Sequence, residues 1–246
     1  MKQVTIRDCT IYHGDCMEMF ESIAPGSVDC VWCDPPYGVS YVPRRRKFLP
    51  IPDQLANDEK PHTEFVAPIV RTVKDSGAVY LCTRFDVSAQ WVDALKETGV
   101  RVKNPIYWVK TLPSIGDTAG DRGNCVEIIL FAHVGRHLLR GKRDVNAWTY
   151  SRPESNGHPT PKPLELVRRC IQASSDPGDL ILDPFLGSGT TAVVCALTGR
   201  RFIGAEIDTA YFDLSCEQIE KAYRDVGNRL PGFDPVALEQ QGSLFE

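Results

Sequence analysis

The chain has 246 residues, of which 42% are apolar and 24% charged, with nine cysteines and a formal net charge of -4. This excludes a wholly disordered chain, a collagen-like repeat and a small disulfide scaffold, and no apolar run reaches the roughly 18 residues a spanning helix needs. Residues 202–246 hold 9 acidic and 3 basic side chains against 23 and 25 in 1–201, so overall acidity does not exclude a polyanionic partner.

The opening MKQVTIRDCT has no apolar signal core, and Cys30, Cys33 and Cys82 sit inside apolar runs. Both features suit a cytoplasmic protein with reduced thiols. Apolar runs at Thr10–His13, Val28–Cys33, Ala78–Cys82, Ile106–Val109, Val126–Ala132, Leu180–Leu182 and Phe202–Ala205 predict strands. Between them, Met17–Ser22, Phe65–Val73, Val87–Thr98, Leu164–Ala173, Thr190–Leu197 and Tyr211–Val226 carry helical patterns. Such alternation predicts an α/β domain with a mostly parallel sheet. Residues 38–62, 111–124 and 135–163 break it with proline, glycine and basic residues. Long irregular loops in a compact α/β domain are commonly functional. The domain is expected over 1–226, with 227–246 as a tail outside the core.

The strand Val28–Cys33 runs into Asp34-Pro35-Pro36-Tyr37. Prolines fix the backbone and remove N–H donors. Such a turn at the carboxyl end of a parallel strand is where open α/β sheets place ligands. Asp34 and the Pro35 carbonyl together suit the two hydrogens of an amino group, and Tyr37 suits stacking on a flat ring. An exposed acid before a proline turn is the plainer reading of Asp-Pro alone, and the longer string after an apolar strand weighs against it.

Further on, Asp183-Pro-Phe185-Leu-Gly187-Ser188-Gly189-Thr190-Thr191 carries a strand through a Gly-rich turn into a helix. Glycine lets backbone approach a ligand, and a helix N-terminus offers free N–H groups. The turn lacks the Gly-Lys-Ser/Thr of a phosphate loop and the six-position dinucleotide fingerprint. Glu206 follows 17 residues after Gly189, close to the spacing at which an acid meets a ribose in nucleotide-binding folds. The basic runs Arg44-Arg45-Arg46-Lys47 and Arg136–Arg143, with Arg140 and Lys142, read either as solvated surface or as phosphate contacts.

The sequence resembles the DNA amino methyltransferases of the beta class. Asp34-Pro35-Pro36-Tyr37 is similar to their catalytic motif, and the string from Asp183 to Thr191 to their S-adenosylmethionine motif. His158-Pro-Thr160-Pro-Lys162-Pro resembles the segment before the cofactor motif, and Gly14-Asp15-Cys16 the turn near the cofactor adenine. The resemblance spans residues 12–210. It implies a Rossmann-like sheet, mostly parallel with one antiparallel strand near an edge, and helices on both faces. Asp34 to Tyr37 would be catalytic. Asp15, Cys16, Asp34, Thr160, Lys162, Asp183, Phe185, Gly187, Ser188, Gly189, Thr190, Glu206 and Ile207 would bind S-adenosylmethionine. Arg44, Arg45, Arg46, Lys47, Arg140, Lys142 and Arg143 would meet double-stranded DNA, with short recognition loops at about 38–62, 111–124 and 136–157.

A target base cannot be reached inside the duplex and would be flipped out. Aspartate at the first motif position resembles the adenine N6 enzymes more than the cytosine N4 enzymes, which remain the alternative. A catalytically silent DNA-binding module is the alternative of another class, and the intact motifs argue against it. No metal set is expected from the cysteine and histidine spacing. The terminal Gln241-Gly242-Ser243-Leu244-Phe245 resembles the peptide by which bacterial replication proteins dock on the sliding clamp, with Gly242 departing from the usual leucine; an ordered tail folded back over the core is the alternative reading.

Overall fold

The computed structural model describes residues 1–38, 60–113, 119–120, 122–142, 144–153 and 161–229. Of the sequence-predicted site residues, Arg44 to Lys47, Arg143, Thr160 and the terminal Gln241, Leu244 and Phe245 lie outside them. The elements run β1 (Lys2–Ile6), β2 (Cys9–His13), α1 (Cys16–Ser22), β3 (Val28–Cys33), α2 (Val66–Thr72), β4 (Val73–Thr83), α3 (Ser88–Glu97) and β5 (Arg101–Val102). They continue with β6 (Ile106–Lys110), β7 (Val126–His133), β8 (Ala147–Tyr150), α4 (Leu164–Ser174), β9 (Leu180–Asp183), α5 (Thr190–Leu197), β10 (Arg201–Glu206) and α6 (Thr209–Arg229).

The central strands are apolar on both faces because both faces are covered. Successive side chains point to opposite sides, so Cys30 and Trp32 of β3 join one buried cluster while Val31 and Cys33 join the other. Strand β4 divides the same way, with Ala78, Tyr80 and Cys82 against Val79 and Leu81. Helices α4, α5 and α6 cover the first face through residues such as Cys170, Val194 and Phe212. Helices α1, α2 and α3 cover the second through Met19, Ile69 and Trp91. Each large buried apolar side chain contributes roughly 1.5–3 kcal/mol relative to its exposure.

The strand order is β1-β2-β10-β9-β3-β4-β7-β6-β8, with β5 beside β7. Pairing is parallel from β2 through β4. Two strands run counter to the rest. One is β7, paired antiparallel with both β4 and β6. The other is β1, a hairpin partner of β2 at the outer edge that closes at Arg7 (φ 50°). The sheet is therefore mostly parallel as expected, and β1 adds a second antiparallel strand to the one anticipated.

Between β9 and β3 the winding reverses, since β10 lies outward of β9 and β4 outward of β3. In doubly wound sheets the crevice at such a switch point receives ligands. The register sets Cys30 beside Ile181 and Val31 beside Leu182, so Asp34 and the Gly-rich turn leave neighbouring strands side by side.

Three departures from the sequence reading have local causes. Strand β8 lies inside the stretch read as irregular; it is four residues long, and buried Trp148 pairs it with Trp108 of β6. Strand β4 begins directly at Val73, five residues earlier than read, where Lys74 forms an ion pair with Asp29 of β3 (2.6 Å). Helix α6 continues through Gly227 to Arg229, beyond the boundary expected at 226. A glycine near a helix end costs less than about 1 kcal/mol, which the preceding turns outweigh. No helix among the described residues is long and apolar enough to cross a membrane.

Candidate active site

The carboxyl ends of four adjacent parallel strands supply the site. β3 delivers Asp34 to Tyr37, β9 delivers Asp183 to Gly189, β10 delivers Glu206 and Ile207, and β2 leads to Asp15 and Cys16.

At the end of β3, Asp34 is half-buried, and both of its oxygens are engaged. Oδ1 accepts the Tyr37 hydroxyl at 2.7 Å, and Oδ2 accepts the Lys162 ammonium at 2.5 Å. Pro35 is buried beneath the turn. Burial and the neighbouring Asp34 and Glu127 carboxylates push the Tyr37 phenol up, so it stays a neutral donor. Gly38 follows with φ of +75°, and a Cβ there would fall 2.1 Å from the backbone of Lys60 and Pro61. Gly38 therefore lies against Lys60 and Pro61 beside the Asp34–Tyr37 turn.

Lys162 reaches this point from the segment ahead of α4, with its side chain only 8% exposed. Burial alone would strip its proton, but Asp34 and Glu127 outweigh that and push its pKa up. Its ammonium lies 5.7 Å from the Tyr37 ring centre and 3.5 Å from Glu127 Oε2. Glu127 of β7 in turn pairs through Oε1 with Lys110 of β6. Burial would raise the Glu127 carboxyl, and the two lysines override it and lower its pKa. Two acids and two ammonium groups therefore form one half-buried, charge-balanced chain from β6 to the Asp34–Tyr37 turn. The sequence reading missed Lys110 and Glu127. A charge inside each apolar strand run, Trp108-Val-Lys110 and Val126-Glu127-Ile, was the signal that could have found them.

Around the Gly-rich turn, Asp183 is 2% exposed and its contacts are internal. Oδ2 accepts the Thr191 hydroxyl at 2.6 Å and Oδ1 the Phe185 N–H at 3.0 Å. Burial raises its pKa to about 7 against those two bonds. Asp183 therefore ties turn to helix rather than facing the crevice. Phe185 packs edge-on against Phe65, with ring centres 4.7 Å apart. Gly189 sits ahead of α5 at φ +90°, where a Cβ would come within 3.1 Å of the Ser215 Cα. Only glycine combines that dihedral with that close approach. Ser188 is buried and Thr190 half-buried at the start of the helix.

Glu206 is half-buried at the end of β10. Its Oε2 accepts the Gly187 N–H at 2.7 Å and Oε1 the Asp208 N–H at 2.8 Å. Burial dominates and raises its pKa to about 7, opposed by those backbone bonds. A carboxylate offers about four lone-pair sites, so two remain for further donors. Beside it Ile207 is 50% exposed, an apolar surface next to an acceptor pair. Asp15 caps α1 by accepting the Met17 N–H at 2.9 Å, and buried Cys16 has its thiol pushed up to about 12 by burial and then by Asp15.

The structure does not bring Arg140 and Lys142 to this edge. β7 runs antiparallel and ends at His133 beside Ala78, near the amino end of the core of β4. Arg140 pairs there with Asp176, beyond the end of α4, at 2.9 Å. The reversal of β7 carries Arg140 away from Asp34. His137 in the same region is held by the Ser76 carbonyl at 2.6 Å and by Ser174 at 3.0 Å.

A sequence model of the DNA methylase family matches residues 28–217. The type II methyltransferase M2.DpnII of Streptococcus pneumoniae is 30% identical over 239 residues, covering 85% of this chain and 89% of its own. DNA adenine methyltransferase YhdJ of Escherichia coli is 29% identical, with 87% of this chain and 83% of its own covered. The solved structure of the M1.HpyAVI–SAM complex superposes with a TM-score of 0.66 at 26% identity, covering 85% of this chain and 98% of that one.

Proposed function

The chain belongs to the DNA methylase family, and on that premise we propose that it transfers the methyl group of S-adenosylmethionine to the exocyclic N6 amine of adenine in double-stranded DNA. The observation that carries the reading is the placement of Asp34-Pro35-Pro36-Tyr37 and the Gly187–Gly189 turn on adjacent strands at the switch point. The residues fit an adenosine-bearing ligand: Glu206 keeps two acceptor sites, and exposed Ile207 lies beside it.

S-Adenosylmethionine supplies the methyl group as a sulfonium electrophile. Glu206 would accept the ribose hydroxyls, and the Phe185–Gly189 turn would lie against the methionine portion. A target base inside a duplex is flipped into the crevice, where Tyr37 stacks on it. The amine is a poor nucleophile because its lone pair is delocalised into the ring. Asp34 and the Pro35 carbonyl accept its two hydrogens and return electron density to nitrogen. Orientation and electrostatics are therefore the protein's contribution. Arg44 to Lys47, which follow the Asp34–Tyr37 turn closely in sequence, would contact phosphates or a guanine edge flanking the target.

Methylation of plasmid DNA in vitro, followed by sequencing that identifies the modified base, tests this. N6-methyladenine in one sequence context is expected; N4-methylcytosine or no modification refutes it. We also propose that residues 1–229 act as one catalytic domain in the cytoplasm, with the terminal segment docking on the sliding clamp through Gln241, Leu244 and Phe245. Equal clamp retention of the intact chain and a Leu244→Ala, Phe245→Ala variant would sink that docking.

A further inference from the structure

Asp34 faces a conflict of partners. A flipped amine needs its carboxylate as a strong acceptor, yet Oδ2 already accepts the Lys162 ammonium at 2.5 Å and Oδ1 the Tyr37 hydroxyl at 2.7 Å; each oxygen keeps a second lone pair, but the ammonium charge weakens it as an acceptor. Tyr37 is neutral, and its hydroxyl also accepts from the Lys162 ammonium at 3.3 Å. Lys162 carries a full charge, and its side chain is 8% exposed, so water is not available to receive it. Drawing that charge away from Asp34 with no other acceptor within bonding distance would cost several kcal/mol.

The structure contains a second acceptor for that charge. Glu127 Oε1 is held by Lys110, but Oε2 is buried and has no hydrogen-bond partner among the described residues. It lies 3.5 Å from Lys162 Nζ, beyond the roughly 2.7–2.9 Å of an ammonium–carboxylate bond. Leaving a buried carboxylate oxygen unmet is costly, so a native protein rarely keeps one without a use. Lys110 is itself fixed, with its N–H on the Cys125 carbonyl at 2.7 Å and its ammonium 5.0 Å from the Trp108 ring centre. Glu127 is thus anchored at one oxygen and open at the other, directly towards Lys162.

We propose that Glu127 is a positioning residue that gives the Lys162 ammonium a second seat, taking it from Asp34 when the target amine arrives. Reaching ordinary bonding distance from Glu127 closes about 0.7 Å of the 3.5 Å gap and lengthens the 2.5 Å Asp34 contact to at most about 3.2 Å, which loosens that bond without cutting it. No proton changes hands. Lys162 stays charged, the pocket stays balanced, and Asp34 regains acceptor strength for the amine as the ammonium's pull on it weakens. Before the base arrives, Lys162 holds the carboxylate in place and neutralises it, so the empty pocket carries no uncompensated charge. Lys110 supports this by keeping Glu127 ionised and pointed at Lys162.

The inference rests on the methyltransferase reading, and binding rather than turnover tests it. The probe is a duplex containing the recognition sequence read from the methylated plasmid, with either adenine or an abasic site at the target position. The quantity is the ratio of the two Kd values, which isolates what the base gains inside the pocket. Glu127→Gln keeps the shape and the Lys110 contact but removes the charge. It should weaken binding of the adenine duplex relative to the abasic one by about tenfold, the size of one hydrogen bond to a charged group. In a Lys162→Met background, where nothing has to be reseated, the same substitution should change the ratio by less than about twofold. If Glu127→Gln does not fold, Glu127→Asp, which keeps charge but loses reach, should give the same pattern. An unchanged ratio in the single variant, or an equal loss with and without Lys162, overturns the second-seat role. A wild-type chain that leaves plasmid DNA unmethylated instead fails the functional reading, and this inference with it.

Discussion

The pKa of Glu206 near 7 makes cofactor affinity a function of pH, with a sign that follows from its geometry. The carboxyl must be ionised to accept both ribose hydroxyls while holding the N–H groups of Gly187 and Asp208. Burial raises its pKa above the ordinary carboxylate range, so the accepting form is fully present only at alkaline pH and is lost as pH falls through about 7. With one such group, the ionised fraction is about 0.9 at pH 8 and about 0.1 at pH 6. The Kd for S-adenosylmethionine should therefore rise about tenfold across that interval. Glu206→Gln keeps a carbonyl for the Gly187 N–H but cannot titrate. It should bind at least about tenfold more weakly at pH 8, from the loss of a bond to a charged group, and lose the pH dependence assigned to position 206. Isothermal titration calorimetry of both proteins from pH 6 to pH 8 measures this, and the variant serves as the control for titration of the ligand itself. Parallel pH curves for wild type and Glu206→Gln, or equal affinity at pH 8, would refute the assignment of the ribose to Glu206.

Asp34→Ala should abolish methyl incorporation while leaving S-adenosylmethionine affinity within about threefold, since Glu127 still balances Lys162 and the carboxylate acts on the target amine; near-normal turnover would remove Asp34 from catalysis. Replacing Arg44, Arg45, Arg46 and Lys47 together by alanine should weaken DNA binding uniformly across sequences and flatten its salt dependence by about 0.9 per lost phosphate contact, as read by fluorescence anisotropy at several salt concentrations. Relaxed site preference instead would identify a base-reading role for the run, and wild-type affinity with an unchanged slope a solvated face. Gly189→Ala places a Cβ about 3.1 Å from the Ser215 Cα at φ +90° and should cost roughly 1–2 kcal/mol, seen as a melting temperature lower by several degrees; an unshifted melting curve would show that the turn relaxes freely.

Much of this protein was legible from local pattern. Strands buried on both faces read as continuous apolar runs, so Val28–Cys33 and Ala78–Cys82 were visible, and with them the alternating α/β plan. Asp34 to Tyr37 and Asp183 to Thr191 stood out because proline and glycine restrict backbone at adjacent positions, a signal contained within one short segment. Elements whose stability is borrowed left no such trace. β8 is held by Trp148 and its pairing with β6, and β1 exists only as an edge partner of β2.

Roles also divided along that line. Sequence proposed Asp183 as a ligand contact, and packing turned it inward onto Thr191 and the Phe185 N–H. Sequence grouped Arg140 with the other basic residues, and the reversed direction of β7 carried it to the far edge of the sheet. Lys162, Glu127 and Lys110 are separated in the chain and joined only by the tertiary fold. A charge buried inside the protein is tolerable only when another chain segment brings its counter-ion. A motif can be read residue by residue because its constraint is local. An ion-pair chain drawn from β6, β7 and the segment before α4 comes into being only when the sheet closes around it.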